Sequence, residues 1–78
     1  MNLVRHAKRR EDLADGLRLE FAPSAETIAL IARVVEAERH CCRFLRFEIT
    51  VEPDGGPVFV ELTGPAGTRE FVSALIDA

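Results

Sequence analysis

The chain contains no tryptophan and no tyrosine, and its whole aromatic content is five phenylalanines. Phenylalanine fills cores but carries no polar tip, so the residues that most often anchor interfaces are largely missing. Cysteine is scarce too. The only two are neighbours, Cys41 and Cys42, and adjacent thiols make no disulfide framework, because a bridge between them is strained and closes almost no loop. Both are expected as free thiols in a reducing compartment. No apolar run approaches the roughly 20 residues of a membrane span, and the N-terminus lacks the apolar stretch of a secretory signal. A cytoplasmic protein is the expectation. Basic excess is absent as well: the formal net charge is −3, whereas generic nucleic-acid binding needs a basic surface. The one basic run, His6-Ala7-Lys8-Arg9-Arg10, is followed at once by Glu11 and Asp12 and reads as a solvated segment. Neither nucleic acid nor membrane is expected as a partner.

What is present describes one small globular domain. The 78 residues are 47% hydrophobic and 29% charged, which excludes disorder by composition. A chain of this length buries only roughly 60 to 65 per cent of its unfolded surface. So thin a core gains from a second copy, and a homodimer is among the expected partners.

The hydrophobic period organises the chain. Asp15-Gly16 is a turn dipeptide leading into Leu17-Arg18-Leu19-Glu20-Phe21, a period-2 alternation. A hairpin with Asp15-Gly16 at its tip pairs residues around 7–13 with 17–22, the first four residues being frayed. Ala22-Pro23 ends the strand, Ser24 suits an N-cap, and Glu26 suits the first turn of a helix. One long amphipathic helix then runs from Ala25 to about Cys42. Steps of about 100° per residue place Ile28, Leu30, Ile31, Val34, Val35, Cys41 and Cys42 on one broad face. Arg33, Glu36, Arg39, His40 and Arg43 lie on the other. Glu38 falls between Cys41 and Cys42, near the middle of the apolar face.

After Arg43 the period becomes 2 again. Leu45, Phe47, Ile49 and Val51 alternate with Arg46, Glu48, Thr50 and Glu52, and Pro53-Asp54-Gly55-Gly56-Pro57 turns the chain. Val58, Val60 and Leu62 mark a returning strand. Thr63-Gly64-Pro65 closes it, with Pro65 at or near the first position of a short helix whose stripe is Phe71, Val72, Leu75 and Ile76. Asp15-Gly16, Leu19-Glu20-Phe21 and Pro23 are faintly echoed by Gly55-Gly56, Val60-Glu61-Leu62 and Pro65. The expected fold is therefore α+β: an antiparallel four-stranded sheet with two helices on one face, in the order β-β-α-β-β-α.

The candidate site lies where the helix ends. Positions i, i+3 and i+4 are neighbours on a helix, so Glu38, Cys41 and Cys42 converge there. A carboxylate on an apolar face must be paired, protonated or bound to a cation. Two thiolates and a carboxylate suit a soft or borderline ion such as Zn²⁺, Cu⁺ or Hg²⁺, with His40 a further candidate ligand if the helix unwinds before Arg43. Arg46 and Glu48 are supporting residues, Arg46 either holding Glu38 or lowering the thiol pKa values. Against this stand three facts. Metal motifs usually separate their cysteines, a helix C-terminus disfavours a thiolate, and free cysteines often only fill space. A salt bridge from Glu38 to Arg46 or another arginine accounts for the carboxylate without any ligand. On the polar sheet face, Arg46, Glu48, Thr50, Glu52, Glu61 and Thr63 suit cross-strand pairs. Phe59 stands out among them as an aromatic residue on which a second protomer can dock.

These pieces resemble a family of small, largely uncharacterised bacterial domains. The matching parts are Glu38, Cys41-Cys42, Phe44-Leu45-Arg46-Phe47-Glu48, Gly56-Pro57, Leu62-Thr63-Gly64-Pro65-Ala66-Gly67 and the following Phe71, covering most of the chain from about Leu13. The resemblance implies metal handling, of mercury in particular. Where the family pattern has an acidic residue before the cysteines and a proline after them, this chain has His40 and Arg43. The readings that follow are a small protein that binds a soft metal ion or acts through vicinal thiols, and a non-catalytic interaction or dimerisation module with structural cysteines. An enzyme using Glu38 as acid or base lacks the second group such chemistry needs.

Overall fold

The structure is a computed structural model that describes residues 2–76 of the chain. A 3-10 turn, η1 (Asn2–His6), leads into β1 (Arg9–Leu13) and β2 (Gly16–Phe21), followed by α1 (Ala25–Cys41), β3 (Arg46–Val51), β4 (Val58–Thr63) and α2 (Thr68–Ile76). The strands form one antiparallel sheet in the order β1-β2-β4-β3, so the two central strands are the second of each hairpin. The expected β-β-α-β-β-α fold, with both helices on one face, is what the chain adopts.

The alternation of β2 and β4 builds the core. Leu17, Leu19 and Phe21 lie opposite Leu62, Val60 and Val58, and all six are buried. Each such side chain contributes about 1.5 to 3 kcal/mol on leaving water. Ile31 of α1 and Val72 of α2 close over them from the helix side. Among the helix contacts, α2 packs on β2 and β4, and α1 packs on η1. That last contact corrects the expectation of a frayed N-terminus: Leu3 is fully buried in the same core. A single leucine in a 3-10 turn has no periodicity to reveal it.

Two turns differ from expectation. The β1–β2 closing pair is Leu13 with Gly16, so the two-residue connection is Ala14-Asp15 and Gly16 already belongs to β2. Gly16 is there for space: a Cβ would stand 1.8 Å from the Leu62 carbonyl oxygen. Likewise α2 starts at Thr68 rather than near Pro65. Gly67 takes a φ of 94°, in the left-handed region, which keeps helix from propagating back through it. Residues 65–68 form a turn instead, with the Thr68 N–H and hydroxyl both donating to the Pro65 carbonyl at 3.0 and 2.6 Å. The 53–57 turn forms as expected, with Asp54 and Gly55 both at positive φ.

The predicted apolar stripes are wider than the faces that become covered. Leu45, just before β3, is buried and Phe47 half-buried, but Ile49 and Val51 are 45% and 56% exposed. On α2, Val72 is buried and Leu75 half-buried, while Phe71 is exposed; the Ile76 side chain falls outside the described residues. No described helix is long and apolar enough to cross a membrane.

Candidate functional site

The site is built by how α1 stops. Ser24 caps its start, its hydroxyl oxygen accepting from the Thr27 N–H at 3.1 Å. At the other end neither glycine nor proline breaks the helix. Cys42 leaves helical geometry at φ −114°, ψ 75°, yet its N–H still donates to the Glu38 carbonyl at 2.7 Å. The Leu45 N–H then donates to the Cys42 carbonyl at 3.0 Å, closing a tight turn through Arg43 and Phe44 into β3. Phe44 packs edge-on against Phe71 of α2, ring centroids 5.1 Å apart, which fastens this turn to the second helix.

Helix phase separates the two thiols. Glu38 and Cys42 lie within about 20° on either side of Ile31, whereas Cys41 is roughly 80° away, on the flank of the stripe. The Ile31 direction is the one that meets the core. Cys42 is accordingly buried and Cys41 exposed. Cys42 Sγ faces Glu38 Oε2 at 3.9 Å, a long, weak thiol–carboxylate contact. Glu38 itself is half-buried. Among the described residues it has no ion-pair partner, so the arginine bridge expected for it does not form.

The remaining candidates turn elsewhere. His40 Nε2 lies 2.8 Å from Glu36 Oε1, and Arg39 forks onto the same carboxylate at 2.9 and 3.0 Å. Hydrogen bonds from these two side chains, Arg39 first, hold the Glu36 pKa below its ordinary value, and the carboxylate raises that of Arg39. Arg46 Nη2 bonds Glu48 Oε1 at 3.0 Å on the exposed sheet face rather than reaching Glu38. Among the described residues no three His, Cys, Asp or Glu side chains group closely enough to hold one ion. A zinc ion, which takes four ligands in a structural site and three plus water in a catalytic one, does not fit this arrangement.

What the pair can do chemically follows from its electrostatics. Burial raises the Cys42 pKa, and the neighbouring Cys41 and Glu38 raise it further by charge and hydrogen bonding. Cys42 is 6% exposed but sits at the margin of the core rather than deep inside it. A thiol so placed rests protonated.

A second feature lies on the opposite face of the sheet, away from the cysteines. An open depression of about 360 Å³ is lined by Arg9, Arg10, Glu11, Arg18, Glu20 and Phe59. The Arg18 guanidinium covers the Phe59 ring at 4.9 Å from its centroid, so that aromatic is half-buried rather than bare. Arg18 Nε is 3.1 Å from Glu61 Oε2, close enough for an ion pair, although its N–H direction completes no hydrogen bond. In sequence the signal for this stack was the alternation placing Arg18 and Phe59 on one face; their diagonal adjacency needed the strand register.

Comparisons with protein-family models, with curated proteins and with solved structures found no match to this chain. The geometry alone carries the functional reading.

Proposed function

We propose that the chain captures a soft, two-coordinate metal ion through Cys41 and Cys42, with Hg²⁺ and Cu⁺ the favoured cargo over Zn²⁺. The observation that carries this is an exposed thiol directly followed by a shielded one that faces a carboxylate. Soft cations prefer thiolates, and an ion content with two sulfurs has no need of the third and fourth ligands that are missing here. Cys41 meets the ion first and loses its proton to water. Cys42 then closes on the ion, and its proton passes by way of Glu38 to water. Two thiol protons are released for each ion bound by two thiolates. His40 and Arg46 take no part, because Glu36 and Glu48 already hold them.

A second reading has one observation in its favour: Cys42 belongs to the core cluster, as a purely structural thiol does. On that reading the chain is a non-catalytic interaction module. Thiol titration of the native protein separates the two, done with and without stoichiometric Hg²⁺ or Zn²⁺ and repeated on Cys41→Ser, Cys42→Ser and Glu38→Gln. Capture requires that Hg²⁺ protect both thiols in the wild type and that each cysteine substitution weaken that protection. If Hg²⁺ protects Cys41 alone and Cys42 responds only after denaturation, the structural reading stands.

A further inference from the structure

The two edges of the sheet are unlike. β1 presents Arg9, Arg10, Glu11 and Asp12 on both of its faces, a charged edge of the kind that resists further pairing. β3 carries Phe47, Ile49 and Val51 on the helix-side face, and the last two are left uncovered. Its backbone tells the same story. The Glu52 N–H donates to the Pro57 carbonyl at 3.2 Å, which sets the phase of the β3–β4 ladder. By antiparallel alternation Arg46, Glu48, Thr50 and Glu52 turn their backbone groups toward β4, and Phe47, Ile49 and Val51 turn theirs outward. The Asp15–Gly64 hydrogen bond on the other side of β4 agrees with that phase. The unpaired backbone groups and the uncovered apolar side chains thus belong to the same residues.

We propose that β3 pairs antiparallel with β3 of a second copy of this chain, about a two-fold axis at Ile49, making one continuous eight-stranded sheet. Facing residues of an antiparallel ladder share a side of the sheet, so odd-numbered positions must meet odd-numbered ones. With the axis at Ile49, that residue meets its own copy, Phe47 meets the partner's Val51, Glu48 meets the partner's Thr50, and Arg46 meets the partner's Glu52. About six new backbone hydrogen bonds form. Slips of two residues oppose Glu48 to the partner's Glu48, or Glu48 to the partner's Glu52, and like charges directly opposite are destabilising. Slips of four leave only the strand ends overlapping.

Charge complementarity therefore selects the register that also joins the apolar rows. Arg46 is 74% exposed and already pairs with Glu48 on the face where the partner's Glu52 would stand. Glu52 has no ion-pair partner among the described residues. The pairing is independent of the thiol site. It uses a surface that the cysteines do not line.

Sedimentation equilibrium of the full chain, in reductant and chelator so that neither disulfides nor metal bridge two copies, tests the proposal. Across micromolar to submillimolar protein, the mass rises from 8.7 kDa toward twice that value. Arg46→Glu and Glu52→Arg each raise the dimer Kd by about tenfold or more, two like-charge contacts replacing two opposite ones. An equimolar mixture of the two variants regains the dimer, because each supplies the charge the other lacks. Circular dichroism checks that each variant folds, and Ile49→Lys, at a half-exposed position of the edge, replaces any that does not. A wild type that stays at 8.7 kDa, charge variants that associate like the wild type, or a mixture that stays monomeric overturns the pairing.

Discussion

Cys42 is tied to Glu38 twice: its N–H donates to the Glu38 carbonyl at 2.7 Å, and its sulfur faces the same residue's carboxylate at 3.9 Å. Cys41, one residue earlier, shares neither restraint and lies open to solvent. The two thiols should therefore react at different rates. With a disulfide reagent at pH 8 and no metal, we expect one fast equivalent and a second at least about tenfold slower, since rate follows thiolate fraction and access. Cys41→Ser removes the fast phase and Cys42→Ser the slow one. Equal rates in the wild type contradict the burial of Cys42.

The raised Cys42 pKa has a definite consequence for stability. In the unfolded chain the thiol ionises near its ordinary value of 9.0, while in the folded chain it holds its proton to higher pH. Between those values the unfolded state binds fewer protons, so stability falls as pH rises. The contribution is complete below pH 9.0 and is lost as pH climbs through the folded value. Urea midpoints measured from pH 7 to 10 should drop at the alkaline end, and Cys42→Ala should flatten that drop. Glu38→Gln, which removes one cause of the shift, moves the thiolate absorbance of Cys42 to lower pH.

His40 is held by Glu36 on the far side of α1 from Cys42. Replacing it with alanine should leave both thiol rates and Hg²⁺ protection within about twofold of wild type, as expected for an exposed surface contact. A large loss of protection in His40→Ala places the imidazole in the site after all.

Gly16→Ala is expected to destabilise by roughly 3 kcal/mol or more, in the range of overpacking a buried backbone contact. The Cβ would stand 1.8 Å from the Leu62 carbonyl, in the two central strands. The three nearest atoms are all backbone of Leu62 and Thr63, which leaves nothing flexible to yield. Chemical denaturation gives the value directly, and a wild-type midpoint shows that the strands separate more easily than this packing implies.

Leu3→Ala should cost about 2 to 4 kcal/mol, the range for emptying a buried leucine site. The residue is fully buried beneath the start of the chain. A loss below about 0.5 kcal/mol, typical of surface changes, indicates that η1 does not hold the core together.

Much of this was legible in the sequence, for a physical reason. Period-2 alternation in Leu17–Phe21 and Val58–Leu62 and the 3.6 period of α1 are local consequences of burying one side of each element, so order and class follow from them. The cysteine stretch was legible for the same reason, as the point where one period replaces the other. What stayed hidden was whatever depends on how wide a covering the neighbours provide. The helical stripe included Ile28, Cys41 and Cys42 alike, yet Ile28 and Cys41 lie on its flanks and are exposed. The β3 row included Ile49 and Val51, which stay largely uncovered.

By itself, then, the sequence determined the elements, their order and the pairing of a carboxylate with two thiols at one helix end, because these rest on spacing along the chain. Only the tertiary structure decided that Cys42 is shielded and Cys41 open, and that β3 keeps a bare apolar edge. Those outcomes rest on which surfaces meet across long sequence separations, and packing settles that between elements rather than within them.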